Sequence, residues 1–123
     1  MSFFEAVASC LGQYGNFSGR ASRSEYWWFF LFVILASIIL TALLTAFVGE
    51  NAAAVVSSLF GLAMIVPSLA VGARRLHDMD SSGWWQLLHL LGIGTLVLWA
   101  WMLFPGTAKA NRYGEPVVVS TQD

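Results

Sequence analysis

The sequence predicts an all-α membrane protein, in which a short amphipathic interfacial helix precedes three transmembrane helices. Three observations predict it. Of 123 residues, 58% are hydrophobic and only 11% charged, against roughly 25% charged in an average soluble domain. A chain this short buries only about two thirds of its surface, so as a soluble globule it would leave large apolar patches in water. Uncharged runs of 23, 22 and 21 residues occupy 26–48, 52–73 and 84–104. At ~1.5 Å per residue, each reaches across a hydrocarbon core of ~30 Å. Residues that start and stop helices stand at the ends of these runs.

The first segment, 1–17, carries Phe3, Phe4, Val7, Leu11 and Tyr14 at three- and four-residue spacing, with Glu5, Ser9 and Gln13 between them. This pattern predicts a helix that lies along the membrane plane or packs against the loop 74–83. The membrane domain, 18–104, opens at Ser22-Arg23-Ser24-Glu25, read as a capping box that starts a span over 23–48. Gly49 is placed to close that helix and Asn51 to cap the next, over 52–77. So short a link makes the two spans antiparallel neighbours. Ser37, Thr41 and Thr45 on the first, with Ala54, Ser57 or Ser58, Gly61, Ser68 and Gly72 on the second, form the small-residue stripes along which helices approach in lipid. Pro67 is expected to kink the second span and to free the carbonyl of Ala63 for a neighbouring group. The third span, 83–104, is capped from Asp80, Ser81 or Ser82, and Trp84, Trp85, Trp99 and Trp101 mark both of its ends as interfacial. The tail, 105–123, has no periodicity and reads as a loop.

Orientation follows from the cations. Arg20 and Arg23 precede the first span, the link after it has no Lys or Arg, and Arg74 and Arg75 end the second. The positive-inside rule then makes the N-terminus cytoplasmic. Three crossings send Lys109 and Arg112 outside. A rival topology turns the third run back at Gly92-Ile93-Gly94 as a re-entrant hairpin and keeps all six cations cytoplasmic, on the condition that protein surrounds the turn.

Several function classes lack support. A net charge of −1 with six Lys plus Arg offers no nucleic-acid footprint. One cysteine, Cys10, rules out an internal disulfide. His77 and Asp78 are too few for a metal site, which needs three or four ligands, and there is no phosphate loop or nucleophile elbow. The expectation is therefore a protein without a catalytic site, metal or cofactor.

Gly19-Arg20-Ala21-Ser22-Arg23-Ser24-Glu25-Tyr26-Trp27-Trp28, Pro67-Ser68-Leu69-Ala70-Val71 running into Arg74-Arg75-Leu76-His77-Asp78, Ser82-Gly83-Trp84-Trp85, and Pro105-Gly106-Thr107 with Asn111-Arg112-Tyr113-Gly114 are separated blocks in a set order. Across roughly residues 14 to 116 they resemble the bacterial inner-membrane family catalogued as domain of unknown function 805. The chain departs from that pattern at Ala108-Lys109-Ala110 and Met79-Asp80. The resemblance implies a multi-pass bacterial inner-membrane protein and brings no assigned reaction.

The candidate site is the conjunction of Arg20, Arg23, Glu25, Arg74, Arg75, His77 and Asp78 on one membrane face. It is read as a surface for anionic lipid head groups or a protein partner, because juxtamembrane cations contribute about 1 kcal/mol each near an anionic leaflet. Part of the cluster also serves as helix punctuation, since Arg74, Arg75 and His77 suit a helix C-terminus. Within the third run, Gln86 and His89 share a face, and an ionisable residue at membrane depth is a site candidate by default. The partners expected are membrane lipids, a membrane protein or a second copy of the chain. The alternative function is an oligomeric small transporter or channel subunit built on His89 and Gln86.

Overall fold

The computed structural model describes residues 2–116 and is all helical. The last part of the predicted tail, 117–123, lies outside the described residues. Helix α1, Phe3–Gly12, starts with a complete capping box: Ser2 accepts from the Glu5 amide while the Glu5 carboxylate accepts from the Ser2 amide. Its inner face buries Ala6 and Cys10, and Phe3 meets Trp28 edge-on at 5.8 Å. The amphipathic helix thus packs on the helix that follows it.

Helix α2, Arg23–Val48, has the bounds expected. Ser22 caps it by accepting from the Glu25 amide at 3.2 Å, but the Glu25 side chain leaves the capping box for a buried arginine described below. Gly49 links α2 to α3 alone, with φ of 92°, a backbone state that favours glycine. Helix α3, Glu50–Asp78, therefore starts one residue before the expected Asn51 cap and has no side-chain cap. At ~1.5 Å per residue, α2 and α3 are roughly 39 and 43 Å long, and both are apolar enough to cross a membrane. The small-residue seam closes between them at Thr41 and Ser57, whose hydroxyls are 2.8 Å apart. Pro67 lies inside α3, and the Ala63 carbonyl it frees accepts from the Tyr14 hydroxyl. Gly72 belongs to a different contact: a Cβ there would strike the Gln86 side chain.

The third run is not one helix, which corrects the single helix expected over 83–104. Ser82 caps a 3₁₀ helix, Gly83–Leu90, by accepting from the Trp84 amide; Leu91 is extended, and helix α4, Gly92–Met102, follows. At ~2.0 Å per residue for the first limb and ~1.5 Å for the second, each is roughly 16 Å long, half a hydrocarbon core. The limbs fold back on one another. Trp85 and Trp101, expected at opposite interfaces, meet at 5.8 Å between ring centres. Gly94 permits the turn, since a Cβ there would run into the Leu88 carbonyl. Phe30 of α2 meets Trp99 of α4 at 5.3 Å, while Gln86 of the 3₁₀ helix donates to the Leu69 carbonyl of α3 at 2.9 Å. The hairpin is thereby flanked by both long helices.

Candidate functional site

The expected charged residues come together where α2 begins, α3 ends and the hairpin returns. They form an interior network. Asp78 is its hub: one carboxylate oxygen accepts from Arg20 Nε at 2.8 Å and the other from Arg75 Nη1 at 2.8 Å. The side chains of Arg75 and Asp78 are both 0% exposed. Arg74 Nη1 donates to Glu25 at 2.7 Å, and the same Glu25 oxygen accepts from the Ser9 hydroxyl at 2.9 Å. A buried carboxylate needs such donors, because leaving a charge unpaired in a low-dielectric interior costs several kcal/mol.

The remaining donors hold backbone. Arg75 bonds the carbonyls of Met102 and Phe104, Arg23 bonds that of Leu103 at 3.2 Å, and Trp27 Nε1 reaches Met102 O at 3.4 Å. These carbonyls end α4, where no further turn of helix satisfies them and cations suit the helix dipole. Arg20 clasps the tail through the carbonyls of Thr107, Lys109 and Gly114. Thr107 returns its amide to the Asp78 carbonyl at 2.7 Å. Gly106 passes so close to the Asp78 carboxylate that a Cβ there would collide with it. His77 donates through Nδ1 to the Gly19 carbonyl at 2.9 Å and stacks flat on Tyr113, 3.9 Å between ring centres. Asn111 Nδ2 donates to the His77 carbonyl at 3.0 Å.

The expected surface is corrected by this geometry. Arg20, Glu25, Arg74, Arg75 and Asp78 spend their charge on each other and on chain carbonyls, leaving Arg23 and His77 only partly buried. Arg74 keeps one buried nitrogen, Nη2, without a hydrogen-bond partner among the described residues. Beside this pair the Cys10 thiol is pushed up to about 12, first by burial and then by the Glu25 carboxylate. Arg112, by contrast, holds Asp80 at the surface at 3.2 Å, with side chains 67% and 40% exposed. Its guanidinium is held above its ordinary pKa by the hydrogen bond to Asp80.

Gln86 and His89 stand apart from the cluster, on the hairpin. His89 bonds Thr95 of α4 at 3.1 Å. Among the described residues no three His, Cys, Asp or Glu side chains converge as metal ligands. Sequence reasoning missed Gly106, Thr107, Asn111 and Tyr113 as parts of the cluster. The signal available was their place in the Pro105-Gly106-Thr107 and Asn111-Arg112-Tyr113-Gly114 blocks.

The family described as "Protein of unknown function (DUF805)" matches residues 14–115, the stretch that the network ties together. The chain belongs to that family. Similar proteins include "Inner membrane protein YhaI" of Escherichia coli strain K12, 42% identical over 107 residues that cover 86% of this chain and 89% of the relative. "Inner membrane protein YhaH" of the same strain is 39% identical over 108 residues, covering 85% and 88%. "Uncharacterized protein YiiR" is 30% identical over 97 residues, covering 74% and 55%. No solved structure matches. In this member of the family, each sequence block has a physical duty: Arg20, Arg75 and Asp78 hold the tail, Gly83 and Gln86 fit the hairpin to α3, and Gly106 to Tyr113 cover the ionic hub.

Proposed function

We propose that the protein is a non-enzymatic bacterial inner-membrane protein that crosses the bilayer twice, inserts the hairpin 83–102 from the cytoplasmic side, and binds anionic lipid beside that hairpin. One observation carries the topology. The fold-back at Leu91 returns Lys109 and Arg112 to the end of α2 and α3 that holds Arg20, Arg23, Arg74 and Arg75. All six cations then share one face, and the opposite link around Gly49 has none, as the positive-inside rule requires of a cytoplasmic face. The buried network acts here as a lock that holds a half-length hairpin between two full-length helices.

Lipid binding belongs outside the lock. Arg23, Ser24, Trp27, Trp28, Leu31 and Leu103 line an open cleft of about 580 Å³. It sets a guanidinium and two indoles at head-group height above an apolar wall, the chemistry of an interfacial lipid contact. Native mass spectrometry of the protein purified with phosphatidylglycerol tests this reading. Arg23→Gln is expected to lose lipid adducts while Asp80→Asn keeps them. Equal adducts on both variants refute the lipid site, and proton or solute flux through the protein in liposomes would replace it with the transport reading.

A further inference from the structure

The 3₁₀ helix repeats every three residues, so its side chains at i and i+3 eclipse. Residues 83–90 accordingly present three stripes. Gly83, Gln86 and His89 form a polar stripe; its Gly83 approaches Ala73 and His77, and its Gln86 reaches Leu69 of α3. Trp84, Leu87 and Leu90 form an apolar stripe that faces outward, with Trp84 78% and Leu90 82% exposed. Trp85 and Leu88 form the third and face α4. An α-helix would rotate His89 about 120° away from Gly83 over the same six residues. The 3₁₀ winding keeps the polar stripe straight, and runs of it beyond three or four residues are uncommon and mark strained or functional segments.

A cleft of about 670 Å³ opens beside this stripe, lined among others by Leu69, His77, Gln86, His89 and Tyr113. Its volume falls within the ~300–1,000 Å³ of small-molecule sites. Among the described residues no Lys, Arg, Asp or Glu lines it, so a phosphate head would find no counter-charge there. The polar groups it offers are neutral donors and acceptors, and its aromatic walls are Phe17, Trp84 and Tyr113. Tyr113, stacked on His77, stands at the end nearest the ionic lock. His89 uses one ring nitrogen on Thr95, and among the described residues its Nε2 has no partner. An imidazole nitrogen at bilayer depth needs one.

We propose that this cleft binds an isoprenoid quinone, an uncharged lipid-soluble ring ketone that enters from the bilayer across Trp84, Leu87 and Leu90. The Thr95 hydroxyl donates to His89 Nδ1, which leaves Nε2–H to donate to a ring carbonyl. Gln86, one turn away at ~6 Å on the same stripe, has a second amide proton beyond the one given to Leu69 for the other carbonyl. Flat aromatic walls favour a ring over a glycerol backbone. The site rests on the topology proposed above, because only a hairpin inside the bilayer opens the apolar stripe to lipid.

The test uses the full chain in nanodiscs of phosphatidylcholine and a photoactivatable azido-ubiquinone with two isoprene units. Saturable labelling within 82–90, competed by the unlabelled quinone, is the expected result. His89→Leu should weaken competition about tenfold, the loss of one good hydrogen bond, and Leu87→Trp, which fills the cleft without touching its polar groups, should abolish labelling. Near-UV circular dichroism identifies a variant that has not folded, and the other then decides. Unsaturable labelling, or wild-type competition by both folded variants, overturns the proposal. Displacement of the quinone by phosphatidylglycerol overturns it in favour of a phospholipid site. Arg23→Gln should leave quinone labelling unchanged, so loss of the anionic-lipid reading and loss of the quinone site give different results.

Discussion

Two aspartates two residues apart make opposite predictions about the lock. Asp78 accepts from Arg20 and Arg75 in an interior where its own side chain and that of Arg75 are 0% exposed. Asp80 accepts from Arg112 at the surface. Asp78→Asn keeps the shape but replaces one carboxylate oxygen by an amide that can only donate, so a guanidinium faces N–H groups and the buried charge is uncompensated. Breaking a buried pair in this way costs about 3–5 kcal/mol. For a domain of this size, with ~4 °C per kcal/mol, that lowers the melting temperature by roughly 12–20 °C. Asp80→Asn removes an exposed pair with a contribution of about 0–1 kcal/mol, and Asn tolerates the positive φ of 56° at that position. Thermal melts in mild detergent, followed by the near-ultraviolet signal of the tryptophans, compare the two directly. Equal shifts for the two variants would refute the view that the cluster is a buried lock, because a solvated charge surface does not distinguish them.

Three further outcomes follow from the same geometry. Gly94→Ala pushes a Cβ into the Leu88 carbonyl and should destabilise by about 1–3 kcal/mol, whereas Gly92→Ala meets nothing within 4 Å and should be neutral or slightly stabilising; paired melts check this. Tyr14→Phe removes the donor to the Ala63 carbonyl and should cost about 1 kcal/mol. That cost should vanish in a Pro67→Ala background, where the restored amide takes the carbonyl. With its thiol pushed up to about 12 by burial and Glu25, Cys10 is protonated throughout pH 6–9 as an order of magnitude, so maleimide should modify it only after denaturation. Rapid labelling of the folded protein at pH 7 would contradict its burial.

What could be read from the sequence was what local chemistry decides. Ser22 and Gly49 punctuate α2, and both are recognisable without knowledge of the rest of the fold. Pro67 likewise announces a free carbonyl, although the partner, Tyr14, is 49 residues from Ala63 and was not predictable. The break at Leu91 is not legible in the sequence, because apolar length is satisfied equally by one α-helix or by two half-length limbs walled by protein. The choice is made by distant groups, Trp27 and Arg75, which take the Met102 carbonyl at the end of α4. A nearer signal was present in Gly83-Trp84-Trp85-Gln86-Leu87-Leu88-His89, whose polar residues recur every third position and fit a 3₁₀ helix better than an α-helix. The charged blocks stand at helix ends that the fold brings together, but their burial is not legible in the sequence. Their principal acceptors outside Glu25 and Asp78 are backbone carbonyls of Met102 to Gly114, and a carbonyl has no sequence signature.

The most direct measurement is the side of the membrane reached by the chain after the hairpin. Single cysteines introduced as Glu50→Cys and Glu115→Cys in a Cys10→Ala background can be labelled with an impermeant maleimide on intact cells. With two crossings and a re-entrant hairpin, position 50 is labelled and position 115 is protected until the cells are opened. Labelling of both positions from outside intact cells contradicts the fold-back and restores a third crossing.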